Sequence, residues 1–397
     1  MMMEAVYPKA LDLLHKAASP QGFLASVQLI TNYHRVWARD GVICGLAALV
    51  SGETHLIAAF RNTLTTLAQH QHALGTIPSN VAIDEEGNDA VSYGGLAGRV
   101  DATTWFVIGV TQYALLTGDH AFYHEKKQAV QKALHVMEHW EFNHRHLMYV
   151  PLSGNWADEY ITDGYVLYDQ LLRIWALRGV QACDSSTQYA DKINAITHQV
   201  LHNFTPGTVG EHYHERAYQE WEWQGYLPCT LNPAGYKNRF DAFAHALFLL
   251  LDLGSPDLQN ALLVYMKEQA HKLPMKLLPA FWPPVTEGES DWQLLRNNCK
   301  YEFRNYPFEF HNGGSWPMVN GFYGMVLAQR GDLGAAEALQ SALDAANARA
   351  DFAFYENFNS QTEAPNGVPR CTWSAAASVL VHHYIHSTTR LFVADSL

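Results

Sequence analysis

Two acids follow a tryptophan in Gly154-Asn155-Trp156-Ala157-Asp158-Glu159-Tyr160, a stretch with no helical period. Another acid lies among aromatics and amides in Phe354-Tyr355-Glu356-Asn357-Phe358-Asn359. Hydrolysis of a glycosidic bond needs two such carboxyls, one protonated to serve the leaving oxygen and one ionised. Asp158 and Glu356 are the candidate pair, with Glu159 and Glu363 as competitors. Trp156 gives Asp158 an apolar neighbour, so a raised pKa is expected there, the condition for a general acid at neutral pH. The plainer reading is a solvated, acid-capped approach to the helix that follows.

The elements that would position this pair are helices. Helical periodicity recurs along the whole chain and strand-like alternation is scarce. The pattern predicts about twelve helices, over 4–18, 39–51, 53–71, 101–117, 119–139, 167–182, 185–203, 240–253, 256–271, 317–331, 333–348 and 372–386. Their character alternates. "DATTWFVIGVTQYALLTG" and "FDAFAHALFLLLDLG" are apolar nearly all round, which fits burial on every side. "HAFYHEKKQAVQKALHVMEHW" has one apolar stripe, Val130, Ala133, Leu134 and Met137, with charges opposite.

Connections alternate as well. "SGET", "TGDH", "LGSPD" and "RGDLG" are tight turns that stop one helix and cap the next. The others, near 19–38, 72–100, 140–166, 204–239, 272–316 and 349–371, are long, and long loops in a compact domain usually carry function. Buried and one-faced helices in turn, with short and long links in turn, describe two concentric rings: an all-α (α/α)6 barrel, one domain over 1–397, with its long loops at one end. No fixed repeat length supports a helical-repeat stack instead.

Seven of the eleven tryptophans (Trp37, Trp156, Trp221, Trp223, Trp282, Trp292, Trp316) fall inside those loops, with Trp140 at the edge of one. Flat rings cover the apolar faces of a sugar while acids, amides and Arg hold its hydroxyls, so a carbohydrate cleft is expected. His212 and His214 have close spacing and acidic flanks, but no third ligand stands at a recognisable distance, so no metal and no cofactor is expected.

The net charge of −13 argues against nucleic acid or an anionic membrane as partner. No apolar run approaches membrane-spanning length and the N-terminus lacks a secretory pattern. Five scattered cysteines without a CxxC pair read as free thiols, hence a cytoplasmic location. Self-association is left open.

"VWARDGVICGLAALVSGE", "VDATTWFVIGVTQYALLTGD", "NWADEYITDGYVLYDQLLRIWAL", "FHNGGSWPMVNGF" and "YENFNSQTEAPNGVPRCTWSAAASVLV" resemble, in the same order, segments of the neutral/alkaline invertases of glycoside hydrolase family 100. More loosely they resemble the glucoamylase-like and amylo-α-1,6-glucosidase barrels. The resemblance spans roughly 30–385 and implies an inverting mechanism on a small glucose-terminated glycoside, sucrose first and other α-glucosides next. It implies Asp158 as acid and Glu356 as base. It also matches Arg39 and Asp40 to the pair that grips the terminal sugar, and Asp101, His311, Asn312 and Trp316 to residues lining the same pocket, beside Trp156. Where those invertases carry two arginines after the aspartate, this chain has Glu159 and Tyr160, which bears on sucrose specificity. A sugar epimerase using a histidine pair, or a sugar-binding protein without catalysis, would keep the aromatics without needing Asp158 and Glu356 face to face.

Overall fold

The computed structural model describes residues 6–30, 32–83 and 89–393. All twelve predicted helices are present, as α1 (Val6–Ala17), α2 (Ala38–Ser51), α3 (Thr54–Gln69), α4 (Val100–Thr117), α5 (His120–His139), α6 (Leu167–Asp184), α7 (Ala190–Phe204), α9 (Ala242–Leu250), α10 (Pro256–Lys272), α12 (Pro317–Gln329), α13 (Leu333–Arg349) and α14 (Thr372–His386). Two short helices unseen in the periodicity, α8 (Glu215–Glu220) and α11 (Asp291–Asn297), sit inside long connections. Residues 4 and 5 of the first predicted helix lie outside the described residues. The expected 240–253 helix is shorter, because the Asp241 side chain accepts from the Phe243 and Ala244 amides and fixes the start at Ala242.

The rings are as the polarity pattern predicts. Helices α2, α4, α6, α9, α12 and α14 pack each on the next, and α14 closes on α2. Each of them is backed by one outer helix: α3, α5, α7, α10, α13 and, behind α14, α1. Every residue of α9 and α12 through Ala328 is buried, whereas α5 buries only one side. Rings that close this tightly leave no room at some contacts. A Cβ on Gly45 of α2 would sit 2.0 Å from the Phe60 ring of α3, so glycine is required there.

The tight turns lie at one end. Gly52 and Gly118 close α2 and α4 in the left-handed conformation, and Asp119, Ser255 and Asp332 cap the outer helices that follow, each accepting one backbone amide.

At the opposite end a repeated backbone bond ties the long connections together. The first residue of an inner helix donates its N–H to a carbonyl in the next connection round the ring: Ala38 to Ser79, Val100 to Gly154, Leu167 to Cys229, Ala242 to Ala280 and Thr372 to Ala25, all at 2.7–3.0 Å. Helix α12 opens on Pro317, which has no N–H, and there Ser315 makes the bond, to Phe358 at 2.9 Å. Short antiparallel strands add to this stitching, among them Val36–Trp37 with Asn80–Ile83 and Asp89–Ser92, and Phe240–Asp241 with Phe281–Trp282. The loops are therefore a hydrogen-bonded collar over the N-terminal ends of the inner helices.

Among the described residues the five cysteines are unpaired. None of the helices described is long and apolar enough to cross a membrane.

Candidate active site

Under the collar lies a cavity of about 820 Å³. Its floor is set by the inner helices, whose N-terminal ends carry partial positive charge and favour acids in the first turn. Asp40, Asp101 and Asp169 occupy such positions in α2, α4 and α6.

Both candidate carboxyls line this cavity, with Glu159, while Glu363 does not. Glu363 pairs with Arg349 instead. Glu356 is buried and accepts the Tyr33 hydroxyl on Oε1 at 2.7 Å. The chain turns sharply behind it: Gly367, at φ +76°, lies so near that a Cβ there would be 2.4 Å from Glu356 Oε2. Burial pushes the Glu356 pKa up to about 7, against the pull of the Tyr33 hydrogen bond and Arg304.

Asp158 departs from expectation. Burial alone would raise its pKa, but Arg99 and Lys300 hold it well below the usual carboxylate range. The Arg99 Nη2 atom is 2.5 Å from Oδ2, and Lys300 reaches the same oxygen. Trp156 does adjoin it in sequence, but its ring turns down into the barrel, stacked on Phe281 and edge-on to Trp316 and His311. The cations outweigh the apolar neighbour and favour an ionised Asp158, whereas burial favours the protonated form of Glu356.

Arg39, Asp40, Trp156, His311 and Trp316 line the cavity as anticipated. The His311 ring lies flat on Trp316, centroids 4.8 Å apart, and neither ring nitrogen has a partner. Burial pulls its pKa down to about 3, so it is a neutral group with one donor and one acceptor to offer a hydroxyl. Burial also lifts Asp40 to about 6, with Arg39 pulling it back.

Two anticipated residues do not line the cavity. Asp101 is fully buried behind Arg39, whose Nη1 donates to its Oδ2 at 2.9 Å, and Tyr168 donates to the same oxygen at 3.2 Å. It aims the guanidinium. Asn312 is spent on the backbone: its Oδ1 accepts from Val285 N at 2.7 Å, and its Nδ2 donates to the Val285 and Asn305 carbonyls at 2.9 and 3.0 Å. It staples the loop that presents His311.

Sequence reasoning passed over Tyr33, Arg99, Lys300, Phe310 and Arg304. Arg304 Nη2 binds Glu159 at 2.9 Å and its guanidinium lies 4.1 Å over Phe310. Tyr33 stands in "NYHRVWARDG" and Arg304 in "YEFRNYP", both in long loops, and an aromatic or a base in such a loop is the available signal.

No group of three or more His, Cys, Asp or Glu among the described residues is arranged to hold a metal. His212 instead hydrogen-bonds Thr208 and Glu215 and stacks on Tyr218.

A sequence profile of the family described as alkaline and neutral invertase matches residues 17–214 and 189–388. The probable chloroplastic alkaline/neutral invertase A of Arabidopsis thaliana is 22% identical over 355 residues, 73% of this chain and 54% of that protein. The chloroplastic alkaline/neutral invertase E of the same plant is 21% identical over 394 residues, 80% of this chain and 61% of its own. The chain therefore spans little more than half the length of these relatives.

Among solved structures, a mannosylglycerate hydrolase of glycoside hydrolase family 63 from Thermus thermophilus superposes with a TM-score of 0.67 at 13% identity, covering 95% of this chain and 99% of that one. A bacterial glucoamylase complexed with acarbose gives 0.60 at 16% identity, over 96% and 55%. At such identities the likeness is one of fold: the (α/α)6 barrel of glucoamylase-like hydrolases.

Proposed function

The chain belongs to the alkaline and neutral invertase family, and from that premise we propose that it is an inverting, exo-acting glycoside hydrolase of small glucose-terminated glycosides, sucrose foremost. The observation that carries the reading is the meeting of Asp158 and Glu356, from separate connections, in one aromatic-walled cavity. Asp158 protonates the leaving oxygen. Glu356 takes a proton from water as it attacks the anomeric carbon from the opposite side. A carboxyl separation of about 6.5–9.5 Å, wide enough for that water, is part of the proposal. Arg39, aimed by Asp101, and Asp40 grip the hydroxyls of the terminal sugar, with His311 and the stacked Trp316 beside them. The hydrogen-bonded collar favours chain ends over polymer interiors. Residues 1–397 are read as one catalytic domain, and unpaired cysteines suit a reducing compartment such as the cytoplasm.

Glu159 and Tyr160 stand where the invertase pattern has two arginines, so maltose and isomaltose rank just behind sucrose. Incubation with sucrose, maltose, isomaltose and glycogen, followed by NMR, tests the reading. β-Glucose appearing first from sucrose supports it. α-Glucose first, or rapid internal cleavage of glycogen, overturns it.

The charges favour one second reading, with the roles exchanged. Glu356, near neutrality, would be the acid and ionised Asp158 the base.

A further inference from the structure

Asp158 carries two cations on one oxygen, and they are held in different ways. Arg99 is buried, and its Nη1 donates to the carbonyls of Gly94 and Gly98 at 3.1 and 3.0 Å and to that of Ser153. It is a fixture of the site. The Lys300 side chain is 41% exposed and rides on the stretch after α11, beside a fully solvent-facing Tyr301.

That stretch is pinned at both ends to the Asp158 loop. At one end Asn298 accepts from Ser153 Oγ at 2.7 Å and donates to the Tyr160 carbonyl at 2.8 Å. At the other, Arg304 binds the Glu159 carboxylate and Asn305 donates to the Glu159 carbonyl at 2.8 Å. Lys300 lies between the pins, over the cavity, so its side chain can swing while the backbone stays.

Two cations beside one carboxylate oppose its protonation, whichever oxygen would carry the proton to the glycosidic bond. Arg99 has nowhere to go. Lys300 does.

We propose that Lys300 is a substrate-displaced positioning residue, clamping Asp158 as a carboxylate in the free enzyme and moving onto the leaving group's hydroxyls when a glycoside enters. The carboxyl pair then holds one proton throughout, exchanged through solvent from the Glu356 side to Asp158, and that proton goes to the leaving oxygen as the C–O bond breaks. Water supplies the hydroxyl to the anomeric carbon and its proton returns to Glu356. The other ionisable groups beside Asp158 or along the cavity wall, namely Arg99, Asp40 from α2, neutral His311, the Glu159–Arg304 pair and Glu302 on the Lys300 stretch, take no part in the transfer. The inference rests on Asp158 being the acid.

The test compares sucrose with α-glucosyl fluoride, whose leaving group has no hydroxyls, in Lys300→Met and Lys300→Arg, alongside Asp158→Asn. Lys300→Met should raise KM for sucrose by about tenfold, the scale of one or two hydrogen bonds to the leaving group, and leave KM for the fluoride near the parent value. Lys300→Arg should recover most of the loss on sucrose. Equal changes on the two substrates, or no change on sucrose, would overturn the displacement of Lys300 onto the leaving group. An active Asp158→Asn enzyme would instead remove the reading beneath it.

Discussion

The hydroxyl of Tyr33 donates to Oε1 of Glu356 at 2.7 Å, joining the first long connection of the barrel to the last. This bond orients the carboxyl and, as a donor to its charged form, draws its pKa down against burial. Tyr33→Phe should cost about tenfold in kcat by leaving Glu356 less often ionised. The alkaline limb of kcat/KM belongs to the free-enzyme group with the higher pKa, here Glu356, so it should move upward. A profile unchanged from the parent would show that Tyr33 does not tune Glu356.

His311 and Asn312 are neighbours in sequence with opposite duties. His311→Ala removes two unpartnered ring nitrogens from the cavity, and KM should rise about tenfold, the scale of one or two hydrogen bonds. Asn312→Ala strands the Val285 amide and two carbonyls. It should cost about 1–3 kcal/mol of stability and leave KM near the parent value in the folded fraction. Steady-state kinetics beside thermal melts check both, and a KM effect as large for Asn312 as for His311 would contradict the division.

Much of this was legible. Alternating polarity marks inner and outer helices because a helix enclosed on all sides has no use for a polar face, and caps such as Asp119 and Asp332 act within a few residues of where they stand. Aromatic surroundings pointed to Asp158 and Glu356, and both line the cavity. What the two carboxyls touch was not legible. Asp158 meets Lys300, and Glu356 meets Tyr33, across spans of 142 and 323 residues, and no local pattern encodes such a meeting. The expected rise in the Asp158 pKa failed for the same reason: Trp156 was visible beside it, and the two cations were not. Asn312 misled differently, since its amide matches a loop's backbone as well as it would match a sugar.

Asp241 offers a test away from chemistry. Burial raises its pKa to about 7, although two backbone amides favour the charged form. A carboxyl whose folded pKa exceeds its unfolded value binds more protons when folded, so its contribution to stability falls as pH rises from about 4 to 7. Nearby His245, drawn down to about 4 by burial, works the other way over an overlapping range. The informative quantity is therefore the difference between variant and parent. Asp241→Asn keeps a capping oxygen, and its melting temperature relative to the parent should climb between about pH 4.5 and 7.5, with most of the gain above about pH 5. A flat difference would mean that Asp241 titrates as it does in the unfolded chain.

The division of labour between Asp158 and Glu356 is tested most directly by comparing sucrose with α-glucosyl fluoride, whose leaving group departs with little help from an acid. Asp158→Asn should lose at least about a hundredfold on sucrose and keep most of its activity on the fluoride, while Glu356→Gln should lose both. The reverse pattern, with the fluoride still hydrolysed by Glu356→Gln and not by Asp158→Asn, would contradict the assignment and exchange the two roles.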